Sequence, residues 1–195
     1  MQVSVKSNVK EIAKWTTNAQ KKQIPFATSV AINNTLFDLK KEMSKQMDKK
    51  LDRPTPFTKR GFLINKAKKN LLIGILLMKD VVASYMHYQI EGGTRSTGKP
   101  ISVPYQPNAR LNKFGNIIGK RTGLIKKSTQ FIGNVGGTDG VYERTKDGLK
   151  LIIGFENSVT YRPRFPFYII AQKFSNAVFD KNFTKAFNRA LKSAK

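Results

Sequence analysis

The sequence predicts an α+β fold, with an antiparallel sheet packed against a long helix in the N-terminal half and a C-terminal helix. Three observations carry that expectation. Apolar residues recur at helical spacing through Phe26–Leu51 and again through Phe167–Leu191. Alternating apolar runs that fit strands lie between them. The order is helices, strands, then a helix, without the repeated strand–helix–strand units of a doubly wound sheet.

Val3–Gln20 comes first, where Val5, Val9 and Ile12 fall at helical spacing and Ser7 suits a cap. A weakly patterned helix is expected there. Pro25 is tolerated in a first helical turn, so a second helix is expected to begin near it. Leu36, Leu39, Met43, Met47 and Leu51 mark its apolar side, and Lys40, Lys41, Lys45, Lys49 and Lys50 its opposite side. Arg53–Phe57 (RPTPF) stops it near Asp52.

Gly61–Ala67 and Asn70–Met78 alternate and are separated by Lys68-Lys69-Asn70, which predicts a hairpin. Gly74 inside the second strand marks a bulge or a close approach. Val81–Ile90 fits a short helix or a third strand; the helix is preferred, capped by Asp80 and stopped by Gly92-Gly93. Gln130–Val135 is patterned again, and Gly136–Gly140 is a turn. Val141–Thr145 and Leu149–Phe155 form a hairpin through Lys146-Asp147-Gly148. Tyr161–Pro166 breaks the pattern before a final helix over Phe167–Ala190. Its exposed side and tail carry Lys173, Lys181, Lys185, Arg189, Lys192 and Lys195.

One domain over residues 1–195 is expected, with 93–128 as an extended basic arm. Between Glu91 and the next acidic residue, Asp139, stand only cations: Arg95, Lys99, Arg110, Lys113, Lys120, Arg121, Lys126 and Lys127. These eight are the candidate contact residues for assembly or for DNA, and Gly92 and Gly93 are the candidate hinge. Rings interleave with the cations, as in Lys99 with Tyr105 and Arg110 with Phe114. Phosphate contacts plus stacking would hold nucleic acid, and an acidic protein neighbour would fit equally well. The spacing matches no sequence-reading module, so any DNA contact is expected to be sequence-independent.

The formal net charge of +24 attracts polyanions. With no cysteine, disulfides and thiolate metal sites are excluded, and the lone His87 cannot build a multi-histidine site. The most apolar run, Leu71–Met78, is far shorter than the ~20 residues a spanning helix needs. The N-terminus lacks the apolar core of a signal peptide, so a soluble chain made in the cytoplasm, with no membrane partner, is expected.

No catalytic constellation emerges, and the chain is expected not to be an enzyme and to need no cofactor or metal. Gly92–Lys99 (GGTRSTGK) invites comparison with a phosphate loop, but Pro100 stands where Ser or Thr is required and no helix opens there. His87 and Glu91 are four residues apart and could share a helix face, yet no nucleophile or second carboxylate lies near them in sequence.

Two stretches carry a family resemblance. Ile24–Met47 (IPFATSVAINNTLFDLKKEMSKQM) has a small-residue segment around Ala31-Ile32-Asn33 that opens a long basic helix. Tyr85–Arg95 (YMHYQIEGGTR) is followed by Ala109–Lys120 (ARLNKFGNIIGK). Together with the aromatic-rich C-terminal helix, they resemble the minor tail protein Z of tailed phages and related neck and tail-completion proteins. The resemblance implies a structural virion protein made in the host cytoplasm and acting at the head–tail junction. Its implied partners are copies of itself in a ring, the portal-side connector and tail proteins. Nonspecific contact with packaged DNA is a further expectation. The alternative reading is a sequence-nonspecific nucleic-acid-binding protein outside the virion.

Overall fold

A computed structural model describes residues 2–6, 18–118, 125 and 127–193. The fold is α+β, as the patterning predicts. Where one domain was expected, the chain divides into two compact units, Met1–Ile90 with Arg164–Lys195, and Glu91–Pro163. The second unit is a single insertion between two parts of the first.

In the first unit β1 (Gln2–Lys6), β2 (Phe62–Asn65) and β3 (Ile73–Met78) form an antiparallel sheet in the order β1-β3-β2. Among the described residues the helices of this unit are α1 (Asn18–Lys50), the short α2 (Pro56–Lys59), α3 (Asp80–Ile90) and α4 (Phe167–Ser193). The helix expected over Val3–Gln20 is corrected at both ends. Gln2–Lys6 is a strand, because β3 offers it a free edge to pair along. Asn18–Gln20 already belongs to α1, whose start lies well before Pro25. The remainder of that expectation, residues 7–17, lies outside the described residues.

The long helix runs through Pro25, which costs it one backbone donor. Thr28 Oγ1 donates to Ile24 O at 2.8 Å, and Ser29 Oγ to Phe26 O at 2.8 Å, beside the proline. At ~1.5 Å per residue α1 is about 50 Å long. Ile32, Leu36, Leu39, Met43 and Met47 are fully buried along it, so the methionine-bearing stripe is core. They share that core with Phe62, Leu76, Val82, Met86, Phe165 and Phe167. The rings of Phe62 and Phe167 stack with centroids 6.1 Å apart.

The expected β2–β3 hairpin forms, closed by paired backbone bonds between Lys68 and Leu71, both 2.9 Å. Gly74 marks a close approach: a Cβ there would stand 2.5 Å from Leu36 Cδ1 and 2.6 Å from Ile32 Cγ2. Asp80 is the first residue of α3, one position inside its expected cap. The helices α1 and α4 pack antiparallel. Ala27 and Ala31 cluster with Ala186 and Ala190, while further along Asn182 Nδ2 donates to Thr35 Oγ1 and Asp38 Oδ2, both at 3.2 Å. Alanines at the seam let the two backbones come close.

The second unit is a four-stranded antiparallel sheet in the order β4-β7-β6-β5. Its strands are β4 (Gly93–Pro104), β5 (Gln130–Val135), β6 (Thr138–Thr145) and β7 (Gly148–Tyr161). The β6–β7 hairpin forms as expected, with longer strands. The extended arm over 93–128 is corrected in its first third, since Gly93–Pro104 is a strand paired with β7. The correction has a plain cause. Val159–Tyr161 prolong β7 beyond the Phe155 limit read from the sequence, and these residues pair with Gly93–Arg95. A small apolar cluster of Val141, Ile152 and Ile153 is covered by Ala109 and Ile117 from the segment after β4.

Candidate assembly or nucleic-acid interface

Of the eight cations singled out in the sequence the structure describes five, and these five lie in separate stretches of the chain. Arg95 is half-buried within β4, where it lies opposite Val159 of β7. Lys99 is exposed in the irregular stretch between Ser96 and Ile101, where β4 bulges away from β7. Arg110 and Lys113 belong to a compact excursion from Tyr105 to Ile117, closed by a bridge between Leu111 and Ile117. Asn112 shapes this excursion: its Oδ1 accepts from Phe114 N at 2.9 Å and from Asn116 N at 3.1 Å. Lys113 Nζ lies 5.2 Å from the Phe114 ring centroid. Lys120, Arg121 and Lys126 lie outside the described residues.

Lys127 is ion-paired with Glu143 on β6. That hydrogen bond, more than any other influence, holds the Glu143 carboxyl below the usual carboxylate range; the Lys127 charge and bonds from Gln130 and Thr129 add to it. Lys127 is therefore partly neutralised by a residue that sequence proximity does not reveal. Among the described candidate cations, Arg110 and Lys127 are brought to one place. They line a cavity of about 300 Å³ with Glu143, Ile117, Ile152 and Ile153. Its apolar floor and mixed-charge rim differ from an uncompensated basic groove.

The candidate hinge has the backbone a glycine pair permits, with φ of +78° at Gly92 and +111° at Gly93. A Cβ on Gly92 would meet Pro163 Cδ at 3.0 Å and Tyr161 O at 3.1 Å. The pair turns the chain out of α3 and into β4. Within the Gly92–Lys99 segment β4 begins at once, and no helix follows to present amides to a phosphate.

No family model matches this chain, and neither the curated proteins nor the solved structures give a match.

Regular rows of exposed cations lie on the two long helices. Lys41, Lys45 and Lys49 repeat at four-residue steps on the exposed side of α1, and Lys181, Lys185 and Arg189 do so on α4. Such steps advance about 6 Å along a helix. Among the described residues none of these six is ion-paired. The sequence pattern alone puts them on solvated helix faces, because they lie opposite the apolar stripes of α1 and α4. Among the described residues, ion pairs tie down cations at other places: Arg53 with Asp52, Lys59 with Asp48, and Lys127 with Glu143.

His87 has a local structural contact. Its Nδ1 lies 3.3 Å from Ala83 O one turn back, and its ring centroid lies 3.8 Å from that of Tyr88. Among the described residues no three His, Asp or Glu side chains gather as a metal site, and no helix is long and apolar enough to cross a membrane.

Proposed function

We propose that this chain is a structural protein of a tailed-phage virion, acting at the head–tail junction through assembly with connector and tail proteins. The residue-level resemblance around Ala31-Ile32-Asn33, Tyr85–Arg95 and Ala109–Lys120 is what carries the proposal. The formal charge of +24 suits a neighbour with an acidic ring or packaged DNA. The role needs neither a cofactor nor a catalytic centre. Purified particles are expected to contain the protein by mass spectrometry, and imaging of a tagged copy is expected to place it where head meets tail. Particles that lack it would sink the reading.

A second reading is favoured by the cation rows on α1 and α4, which have no ion-pair partner among the described residues. These give the chain the means to bind nucleic acid without sequence preference. Its signature is binding whose log K falls by about 0.9 for each phosphate neutralised as log salt rises. Weak binding with a flat salt response would remove it.

A further inference from the structure

The four-stranded sheet has two edges, and they are built differently. The β4 edge is guarded: it carries Arg95, Lys99, Pro100 and Pro104, and it bulges between Ser96 and Ile101. Charges, prolines and bulges are the usual protection against strand addition. The β5 edge has none of them. Gln130–Val135 reads QFIGNV, regular along its whole pairing with β6, without a charge or a proline.

The register shows which backbone groups this edge presents. A two-residue turn at Gly136-Gly137, with φ of +59° and +81°, joins Val135 to Thr138. At the other end Arg144 N donates to Thr129 O at 2.9 Å. Antiparallel alternation then directs the backbone groups of Phe131, Gly133 and Val135 toward β6, and those of Ile132 and Asn134 away from it. No described strand pairs on that outer side.

Side chains leave the edge clear. The Phe131 ring is held on the sheet, stacked at 5.9 Å on Tyr142 and covered by the Arg144 guanidinium at 4.3 Å. Asn134 is turned back into the hairpin, donating to Asp139 Oδ1 at 2.8 Å and accepting from Gly137 N at 3.2 Å. Gly133 between them has no side chain. Ile132 is an apolar group left 57% exposed.

We propose that β5 is a self-association edge, on which β5 of a second copy of this chain adds antiparallel across a twofold axis near Gly133. Two features select a second copy. An antiparallel strand is complementary to itself, so each copy offers the other its Ile132 and Asn134 backbone groups. The strand itself also carries no charged side chain in a chain of formal charge +24, so its own residues add no repulsion between copies. A polyanion finds no cation on this strand to hold it. Gly133 relieves crowding at the close pair on the axis, and the two Ile132 side chains come within reach of each other. The two sheets then continue as one. The contact is isologous and joins copies in pairs; a ring would need a head-to-tail contact besides. The inference is independent of the virion reading.

The test uses the full chain in sedimentation velocity over a concentration series, at about 0.5 M salt to screen the net charge. A reversible dimer is expected. Ile132→Lys and Ile132→Pro are each expected to weaken it about tenfold or more, the first by facing like charges across the pairing and the second by deleting an outward N–H. Far-UV circular dichroism identifies whichever variant keeps the fold, and Thr97→Lys on β4 is expected to leave the dimer unchanged. The Asn134 amide is expected to exchange slowly in the dimer and quickly on dilution. A wild-type monomer at all concentrations would overturn the proposal, whether its Asn134 amide exchanges fast or is covered by another segment of the chain. So would a dimer indifferent to both Ile132 substitutions.

Discussion

Asn33 holds both backbone groups of Ala67. Its Nδ2 donates to Ala67 O at 3.0 Å, and its Oδ1 accepts from Ala67 N at 2.8 Å. A side chain in the middle of α1 thus takes the place of a neighbouring strand for the residue where the β2–β3 hairpin turns. Only an amide supplies a donor and an acceptor at that reach. Asn33→Ala is expected to cost about 2–3 kcal/mol, since two bonds disappear and the Ala67 N–H is left in an almost buried place. Urea unfolding would read this as a lower midpoint at unchanged slope. A loss within error would mean that water replaces the amide.

Gly74 is expected to tolerate no side chain. β3 lies so near α1 that the Cβ of Gly74→Ala would press on Leu36 and Ile32, both fully buried. Overpacking of this kind costs about 1–3 kcal/mol. Leu36→Ala in the same chain would open room, so the double substitution should lose less than the sum of the singles. Strict additivity in a thermal-unfolding cycle would show that the strand simply shifts.

Acid should weaken the second unit through Glu143. Its carboxyl titrates below its ordinary value because Lys127 hydrogen-bonds it. A depressed folded-state value stabilises the fold above the unfolded-state value, and that share is lost as pH falls through the folded one. The wild-type protein is therefore expected to lose stability below about pH 4.5, with a shallower decline in Glu143→Gln. Asp52, lowered chiefly by its bond to Arg53, contributes in the same direction within the first unit. Unfolding midpoints of the two proteins, measured from about pH 6 down to pH 3, would decide it; parallel curves would remove Glu143 as a source.

Elements with a long, one-sided pattern were legible in the sequence. The buried stripe from Ile32 to Met47 repeats often enough to exclude a strand, and the Leu71–Met78 run alternates where β3 pairs on both sides. Short or weakly coded elements were not. In Gln2–Lys6 the alternation of Val3 and Val5 covers too few residues to outweigh the helical spacing of Val5, Val9 and Ile12. In Gly93–Pro104, glycine and proline imitate a loop, and only the length of β7 reveals a strand. The candidate site suffered most. A run without acids suggests free charge, yet Glu143 reaches Lys127 from 16 residues away in sequence, because a sheet register sets that distance.

Two sets of cations now compete as the polyanion contact, and charge reversal separates them. Lys41, Lys45, Lys49, Lys181, Lys185 and Arg189 are exposed on regular helices and free of acidic partners among the described residues. Lys127 already has a partner, and Arg95 is half-buried in β4. The helix rows should therefore dominate binding to duplex DNA. Reversing Lys41, Lys45 and Lys49 to Glu should lower the salt slope by nearly 3, at about 0.9 for each phosphate no longer neutralised. Reversing Lys99, Arg110 and Lys113 should lower it less. These surface changes leave the core untouched, so far-UV circular dichroism and unfolding midpoints should stay close to wild type. Fluorescence anisotropy with one duplex of mixed sequence at several salt concentrations measures both slopes. If the second triple variant shows the greater drop in slope, the polyanion site belongs to the segment between Gly93 and Ser128 after all.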